Sequence, residues 1–358
     1  MLQLTETLEN TSHLMRQGIV FKKNLGQYSI RTEAGVIAGS LSSKLRKQLI
    51  YPIADPNSIK RRVMEVKDLD TVDPVAVGDV VRFIDAGDGS GLITEILPRR
   101  NKLSRPATDG ARRVKKGKSV LEQVLVANID QIVIVMPAAN PPPSWDLLDR
   151  YLAAAEAAQL PAVICFTKVD LAPDEQFTHE VEVYRQIGYP VIVTSSVAGD
   201  GLDQVQAALK DRVSVLWGKS GVGKSSLLNA IQPGLGLRVN EVNAFNSEGR
   251  HTTTHLEMFD LQFGGSVIDT PGQRRFKLWD EEPGDTPGDF AQLLPEMRPF
   301  IGQCKFGLDC THAREPGCAI KRAVDNGQVS QRRYESLLGM RDYFNQSRLE
   351  IGGWRVIS

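Results

Sequence analysis

Between residues 18 and 97, short stretches in which apolar and polar positions alternate are separated by Gly and Asp: 18–21, 27–30, 36–38, 62–66, 79–84 and 91–96. Alternation with a period of two suits half-buried strands. Six such stretches in about 80 residues predict a small β-barrel of the OB type. From Asn128 the pattern changes. Residues 129–136 form an apolar run, broken only by Asp130 and Gln131 near its start, as a strand covered on both faces requires. Helical spacing then predicts helices over 146–159, 175–187, 202–209 and 225–231, alternating with strands over 162–166, 191–194 and 213–217. Strand-helix alternation of this kind builds a doubly wound α/β sheet. An acidic stretch, 280–289, leads to a Cys/His cluster and a charged helical segment, 330–348. The organisation read from these patterns is a tail (1–17), a barrel (18–97), a linker (98–127), an α/β domain (128–280) and a mostly helical C-terminal domain (281–358).

Composition changes this picture little. The 358 residues carry 43 Lys+Arg against 43 Asp+Glu, so whole-chain charge points to no class of partner. No apolar run of about 18 residues predicts a membrane span. The N-terminus holds Glu6 and Glu9 and no apolar core, so no leader is expected. Local charge is less even. Arg99, Arg100, Lys102, Arg105, Arg112, Arg113, Lys115, Lys116 and Lys118 face only Asp109. Beside an OB-like barrel, such a run suits contact with a nucleic-acid backbone, and its alternative is a solvated loop.

Gly218-Lys219-Ser220-Gly221-Val222-Gly223-Lys224-Ser225 fits GxxxxGK[ST] in full, after one predicted strand and before a predicted helix. The glycines let consecutive N–H groups curl around a β-phosphate, aided by the positive end of the helix. Lys224 would neutralise the β- and γ-phosphates, the Ser225 hydroxyl would ligate Mg²⁺, and Ser226 extends the binding segment.

Thr167-Lys168-Val169-Asp170 follows a predicted strand and resembles the NKxD motif of GTPases. The Asp170 carboxylate can accept from both N1–H and the exocyclic amine of guanine, a pattern adenine does not offer. Lys168 would lay its stem over the base. Thr167 replaces the usual Asn, which removes one loop-tying amide. Ser195-Ser196, after the next strand, resembles the segment whose backbone N–H reads guanine O6. The site is therefore expected to take GTP and GDP.

Asp269-Thr270-Pro271-Gly272 matches DxxG, with Asp269 holding Mg²⁺ through water and the Gly272 N–H sensing the γ-phosphate. Between the two phosphate motifs lies His251-Thr252-Thr253-Thr254-His255, from which Thr253 is expected to close over Mg²⁺, with Thr252 and Thr254 still open. The order along the chain is base-reading loops, phosphate loop, switches, whereas ordinary small GTPases begin with the phosphate loop. A parallel sheet tolerates this circular permutation because strand neighbours, not chain order, make the pocket.

Three of the four cysteines fall in Cys304-x₅-Cys310-x-His312-x₅-Cys318. In a chain with no export signal this clustering points to metal and a reducing cytoplasm rather than disulfides. Three thiolates and one imidazole suit a structural Zn²⁺ with no open coordination position. Cys165 falls mid-strand and reads as a core thiol.

The permuted order, the HTTTH run, DTPG with Phe276 and Leu278-Trp279 after it, and CxHxxEPGC together resemble the RsgA (YjeQ) family of small-subunit ribosome biogenesis GTPases. Asp289-Phe290-Ala291 with Pro295-Glu296, Val77-Gly78-Asp79, Leu103-Ser104-Arg105-Pro106 and Ala127-Asn128-Ile129-Asp130 agree, and the likeness spans about residues 18–320. It implies an OB-fold, a permuted GTPase domain and a zinc domain that together clamp the 30S subunit and its 16S rRNA. It also implies a monomer in the cytoplasm, with weak GTPase stimulated by 30S and hydrolysis coupled to release. The family is thought to position water with the switch histidine, here His251. Gln273 stands after Gly272, where Ras-like enzymes orient water with Gln, so His251, Gln273 or both remain candidates. Two rivals are a non-catalytic nucleotide-gated RNA-binding module and a free-standing regulatory GTPase with protein targets. The Lys224/Ser225/Asp269 set argues against the first, and the barrel and Cys/His modules argue against the second.

Overall fold

The computed structural model describes residues 15–24, 26–46, 52–54, 63–66, 73–106, 122–171, 173–235, 256–269 and 289–351. The alternating N-terminal stretches form strands β1 (Met15–Asn24), β2 (Gln27–Thr32), β3 (Gly35–Leu41), β4 (Pro52–Ala54), β5 (Val63–Val66), β6 (Val80–Asp85) and β7 (Ser90–Ile96). β1 pairs with β2, β2 with β3 and β6 with β7, all antiparallel, while β3 runs parallel to β7. β6 then closes back onto β1, completing a five-stranded ring. A closed Greek-key ring with a single parallel pair is the OB arrangement expected from the sequence. Within the ring β1 pairs with β6 through Met15–Ile19 and with β2 through Ile19–Asn24, and its register with β2 shifts between Val20 and Lys22, a bulge that bends a long strand. Val20, Tyr28, Ile30, Val81, Phe83 and Ile93 fill the interior, each contributing about 1.5–3 kcal/mol of burial. β4 and β5 form a separate hairpin between β3 and β6.

The segment read as a linker carries its own ladder. β8 (Lys102–Pro106) pairs antiparallel with β9 (Glu122–Ala127). Two of its basic side chains are already committed: Arg99 to the buried Asp79 at 2.6 and 2.7 Å, and Arg100 to Asp130 at 2.9 Å. Residues 107–121, with most of the remaining charge, lie outside the described residues.

The described residues form two compact units, one drawn from segments 1–130, 209–216 and 241–280, the other from 131–208, 217–240 and 281–358. In the second, β10 (Gln131–Pro137), β11 (Ala162–Thr167) and β12 (Val191–Val193) are parallel. β10 and β11 are buried along their whole length, which explains their apolar runs. Helices Trp145–Ala157 and Glu175–Ile187 connect them. The latter starts at Asp174, whose carboxylate accepts the Phe177 N–H at 2.8 Å, and stops at Gly188 in the left-handed conformation. In the first unit, β13 (Val213–Trp217) pairs in parallel with β15 (Ser266–Asp269), and β14 (Glu257–Asp260) flanks β15 antiparallel. β14 also pairs with β1 at Glu257 and Lys22, so the barrel is hydrogen-bonded to a strand lying between the two switch motifs. The Lys22–Glu257 pair at 2.7 Å and the Arg31–Asp260 pair at 2.5 Å brace that seam.

The C-terminal region folds as short 3₁₀ turns, a helix Ala319–Asp325 and a long helix Gln331–Ile351. Asp149, fully buried on helix Trp145–Ala157, accepts from Arg332 at 2.7 Å, Arg333 at 2.6 Å and the Tyr184 hydroxyl at 2.6 Å. Arg333 is also forked onto Glu296, and Arg332 makes a single ion-pair contact with Glu180 at 2.8 Å. Burial pushes the Asp149 carboxyl upward, but Arg333 and then Arg332 outweigh it and hold it below its usual value. No helix among the described residues is long and apolar enough to cross a membrane.

Candidate functional site

β13 ends at Trp217 and helix Lys224–Ile231 begins seven residues later, so the phosphate motif occupies the strand-to-helix turn its pattern requires. A Cβ on Gly218 would lie 2.4 Å from the Val135 carbonyl oxygen, so only glycine fits against β10. Gly221 and Gly223 take φ of 82° and 103°, which turns successive N–H groups to one side as an anion nest. Buried Lys224 folds over the loop and donates to the carbonyls of Gly218 at 2.9 Å and Lys219 at 3.1 Å. Ser225 and Ser226 follow in the first turn of the helix.

The base-reading candidates come from the ends of β11 and β12. Lys168 has φ 61°, a sparsely populated conformation for a side-chain-bearing residue, and its ammonium donates to the Asn140 carbonyl at 2.8 Å. One Asp170 carboxylate oxygen accepts from the Ser195 hydroxyl at 2.6 Å. The same Ser195 oxygen accepts the N–H groups of Val197 and Ala198 at 3.2 and 3.0 Å. The Ser195 N–H itself donates to the Asp200 carbonyl at 3.0 Å, which leaves the Ser196 N–H as the other candidate of the segment. Thr167, 1% exposed, donates its hydroxyl to the Val222 carbonyl at 2.5 Å, so a side chain without an amide still ties this loop to the phosphate loop. The sequence held the signal, a short hydroxyl at that motif position, but its partner sits 55 residues away.

Asp269 ends β15 in register with Leu216, two residues before the phosphate loop begins. His251, Thr252, Thr253, Thr254, Gly272 and Gln273 lie outside the described residues. Cys165 is fully buried, and burial pushes its thiol up to about 12, as an inert core residue requires.

Cys304, Cys310, His312 and Cys318 are all buried, with their ligand atoms within 4.8 Å of one another. Sulfur-to-sulfur separation for Cys304 and Cys318 is 3.9 Å, and His312 Nδ1 lies 3.5 and 3.4 Å from those two sulfurs. A tetrahedron with metal–sulfur bonds of about 2.3 Å has edges near 3.8 Å, so the set fits a tetrahedral ion and is too open for a disulfide. Burial disfavours the Cys304 thiolate, but the Ala319 N–H, donating at 3.2 Å, and the neighbouring thiols hold its thiol below the usual value. Glu315 clasps the connecting loop by accepting from the N–H groups of Thr311, Ala313 and Arg314 and from the Thr311 hydroxyl, which pulls its carboxyl down to about 2. Sequence reasoning missed two further partners. The Tyr334 hydroxyl donates to the His312 carbonyl at 2.7 Å, and Asp289 faces the His312 ring at 2.9 Å.

The sequence profile of the RsgA GTPase family matches residues 96–279. A Bacteroides fragilis protein named small ribosomal subunit biogenesis GTPase RsgA is 35% identical over 328 residues, covering 90% of this chain and 96% of its own. The namesake from Moorella thermoacetica is 42% identical over 261 residues, covering 73% and 82%. Among solved structures, YjeQ from Thermotoga maritima superposes with a TM-score of 0.65 at 30% identity, spanning 96% of this chain and all of the other. YloQ, described as a circularly permuted GTPase, gives 0.63 at 31% identity over 93% and 96%. With a phosphate loop, a guanine-type loop tied to it and a Cys₃His cluster at the expected places, this chain belongs to the RsgA family of circularly permuted GTPases.

Proposed function

We propose that this GTPase acts on the small ribosomal subunit late in its maturation, with hydrolysis stimulated by the subunit and coupled to the protein's release. The observation that carries the reading is the Thr167–Val222 tie. It locks the guanine-type loop to the phosphate loop across the permuted connectivity, as one nucleotide bound at both ends demands. The names of the relatives supply the ribosomal context.

In this reading Asp170 accepts two hydrogen bonds from guanine while Ser195 steadies its other face. Lys168 covers the base, and reading of O6 falls to the Ser196 N–H because that of Ser195 is spent. The N–H groups of residues 218–226, with Gly218, Lys219, Ser220, Gly221, Val222, Gly223, Ser225 and Ser226, wrap the phosphates. The Lys224 ammonium exchanges its loop carbonyls for phosphate oxygens and neutralises charge that grows during transfer. Ser225, Asp269 and Thr253 offer only oxygen ligands, the set suited to a hard cation, and would hold a Mg²⁺ ion, Asp269 through water, whose charge would screen the β- and γ-phosphates. The Gly272 N–H senses the γ-phosphate, and His251 or Gln273 orients the attacking water. The Cys₃His cluster holds one structural Zn²⁺ and organises the C-terminal domain. The barrel and the basic segment contact 16S rRNA, and the chain works as a cytoplasmic monomer.

GTP turnover measured alone and with purified 30S, 50S and 70S particles tests this, with Lys224→Ala as control. The expected outcome is a large increase specific to 30S and absent in the variant. Turnover indifferent to all three particles would remove the ribosomal assignment.

A further inference from the structure

We infer that Asp289 is a positioning residue of the metal cluster: it holds the His312 ring so that Nδ1, not Nε2, is the ligand nitrogen. The inference rests on the reading of the Cys₃His cluster as a metal site. His312 is 2% exposed, and its two ring nitrogens face different partners. Nδ1 lies among the sulfurs, at 3.5 Å from Cys304 and 3.4 Å from Cys318. Nε2 lies 2.9 Å from one carboxylate oxygen of Asp289. A carboxylate only accepts, so Nε2 carries a proton, and in the neutral ring that a metal requires the lone pair is then on Nδ1, the nitrogen that faces the sulfurs. This is the arrangement in which an outer carboxylate fixes a histidine's tautomer and raises its basicity toward a metal.

Asp289 is itself immobilised. Its second oxygen accepts the Ala291 N–H at 2.9 Å and caps the 3₁₀ turn Phe290–Leu293. The His312 backbone has φ 60°, a conformation that costs energy for a residue with a Cβ, and the Tyr334 hydroxyl grips its carbonyl. Ring and carbonyl are thus held by separate contacts, and of these two it is the one to Asp289 that bears on which nitrogen carries the proton.

Two substitutions separate this role from capping. Asp289→Asn keeps an oxygen for the Ala291 N–H but presents an amide to the ring. Asp289→Ser keeps a good cap and is too short to reach the ring. Full-length wild type and both variants would be loaded with Zn²⁺, checked for folding by circular dichroism, and challenged with a chromophoric chelator. Co²⁺-substituted samples would supply the ligand-field spectrum. Both variants are expected to bind Zn²⁺ about 10- to 100-fold more weakly, and their Co²⁺ bands to shift, which loss of a turn cap alone would not cause. Zinc affinity and Co²⁺ spectra within twofold of wild type in both variants would overturn the positioning role while leaving the metal site standing. A wild-type chain that binds neither metal would overturn the metal reading and this inference with it.

Discussion

Replacing Thr167 by Val keeps the β-branched shape and removes a hydroxyl whose short bond goes to the Val222 carbonyl, with the Met136 carbonyl a longer second acceptor at 3.4 Å. Thr167 is 1% exposed, and its hydroxyl is the donor to the Val222 carbonyl at 2.5 Å. The contact is tight on both sides, since a Cβ placed on the neighbouring Gly223 would lie 3.3 Å from the same oxygen. No space for a replacement water follows from that packing. A buried carbonyl deprived of its donor costs about 1–3 kcal/mol, which corresponds to about 5- to 140-fold in an equilibrium constant. In the proposed reading the bond joins the loop that reads the base to the loop that holds the phosphates, so the cost falls on holding both ends of one nucleotide. The dissociation constants for GDP and GTP should rise together within that range. Preference for guanine over adenine should persist, because Asp170 and Ser195 are untouched. Fluorescent GDP displacement in a stopped-flow instrument reads the affinity and the release rate. Thr167→Ser, which keeps the donor, should stay close to wild type. Val and Ser variants that bind GDP equally well, or equally poorly, would refute the argument.

Gly218→Ala places a methyl group 2.4 Å from the Val135 carbonyl oxygen and should displace the phosphate loop; equilibrium dialysis with GDP is expected to show loss of binding. If Asp170 accepts two charge-assisted bonds from guanine as proposed, worth about 1.5–3 kcal/mol each, Asp170→Asn should lower GDP affinity at least about 100-fold while xanthosine diphosphate gains, as isothermal titration would record. Asp149→Asn leaves the buried Arg332 and Arg333 short of a counter-charge and should destabilise the chain by about 3–5 kcal/mol in urea unfolding, less whatever Glu180 and Glu296 recover. Because the Asp149 carboxyl is held below its usual value in the folded chain, its contribution is present above the ordinary carboxylate range and is lost as pH falls through the lowered value. Wild type should therefore lose stability on acidification below about pH 4 more steeply than Asp149→Asn.

The local patterns were legible because they report local physics. Alternation gave the barrel strands, apolar runs gave β10 and β11, and a glycine-rich turn between strand and helix gave the phosphate loop. Asp174 and Gly188 bracketed helix Glu175–Ile187 at the residues where hydrogen-bond capping and a left-handed turn are cheapest. The Cys/His spacing likewise announced its cluster, since four soft ligands within 15 residues have few other uses. Periodicity did not reveal β14, a four-residue strand, or the β8–β9 ladder inside a segment whose charge read either as a nucleic-acid contact or as a solvated loop. What only the folded chain decided were pairings between residues far apart in sequence: Thr167 with Val222, Asp149 with Arg332 and Arg333, Asp289 with His312. Each is a buried polar contact, and the partner of a buried polar group is whichever complementary atom the fold brings within about 3 Å. No spacing along the chain encodes that distance. The motifs named the chemistry because backbone geometry over a few residues is set by the residues themselves, whereas the contacts that hold those motifs together exist only once strands and helices have packed.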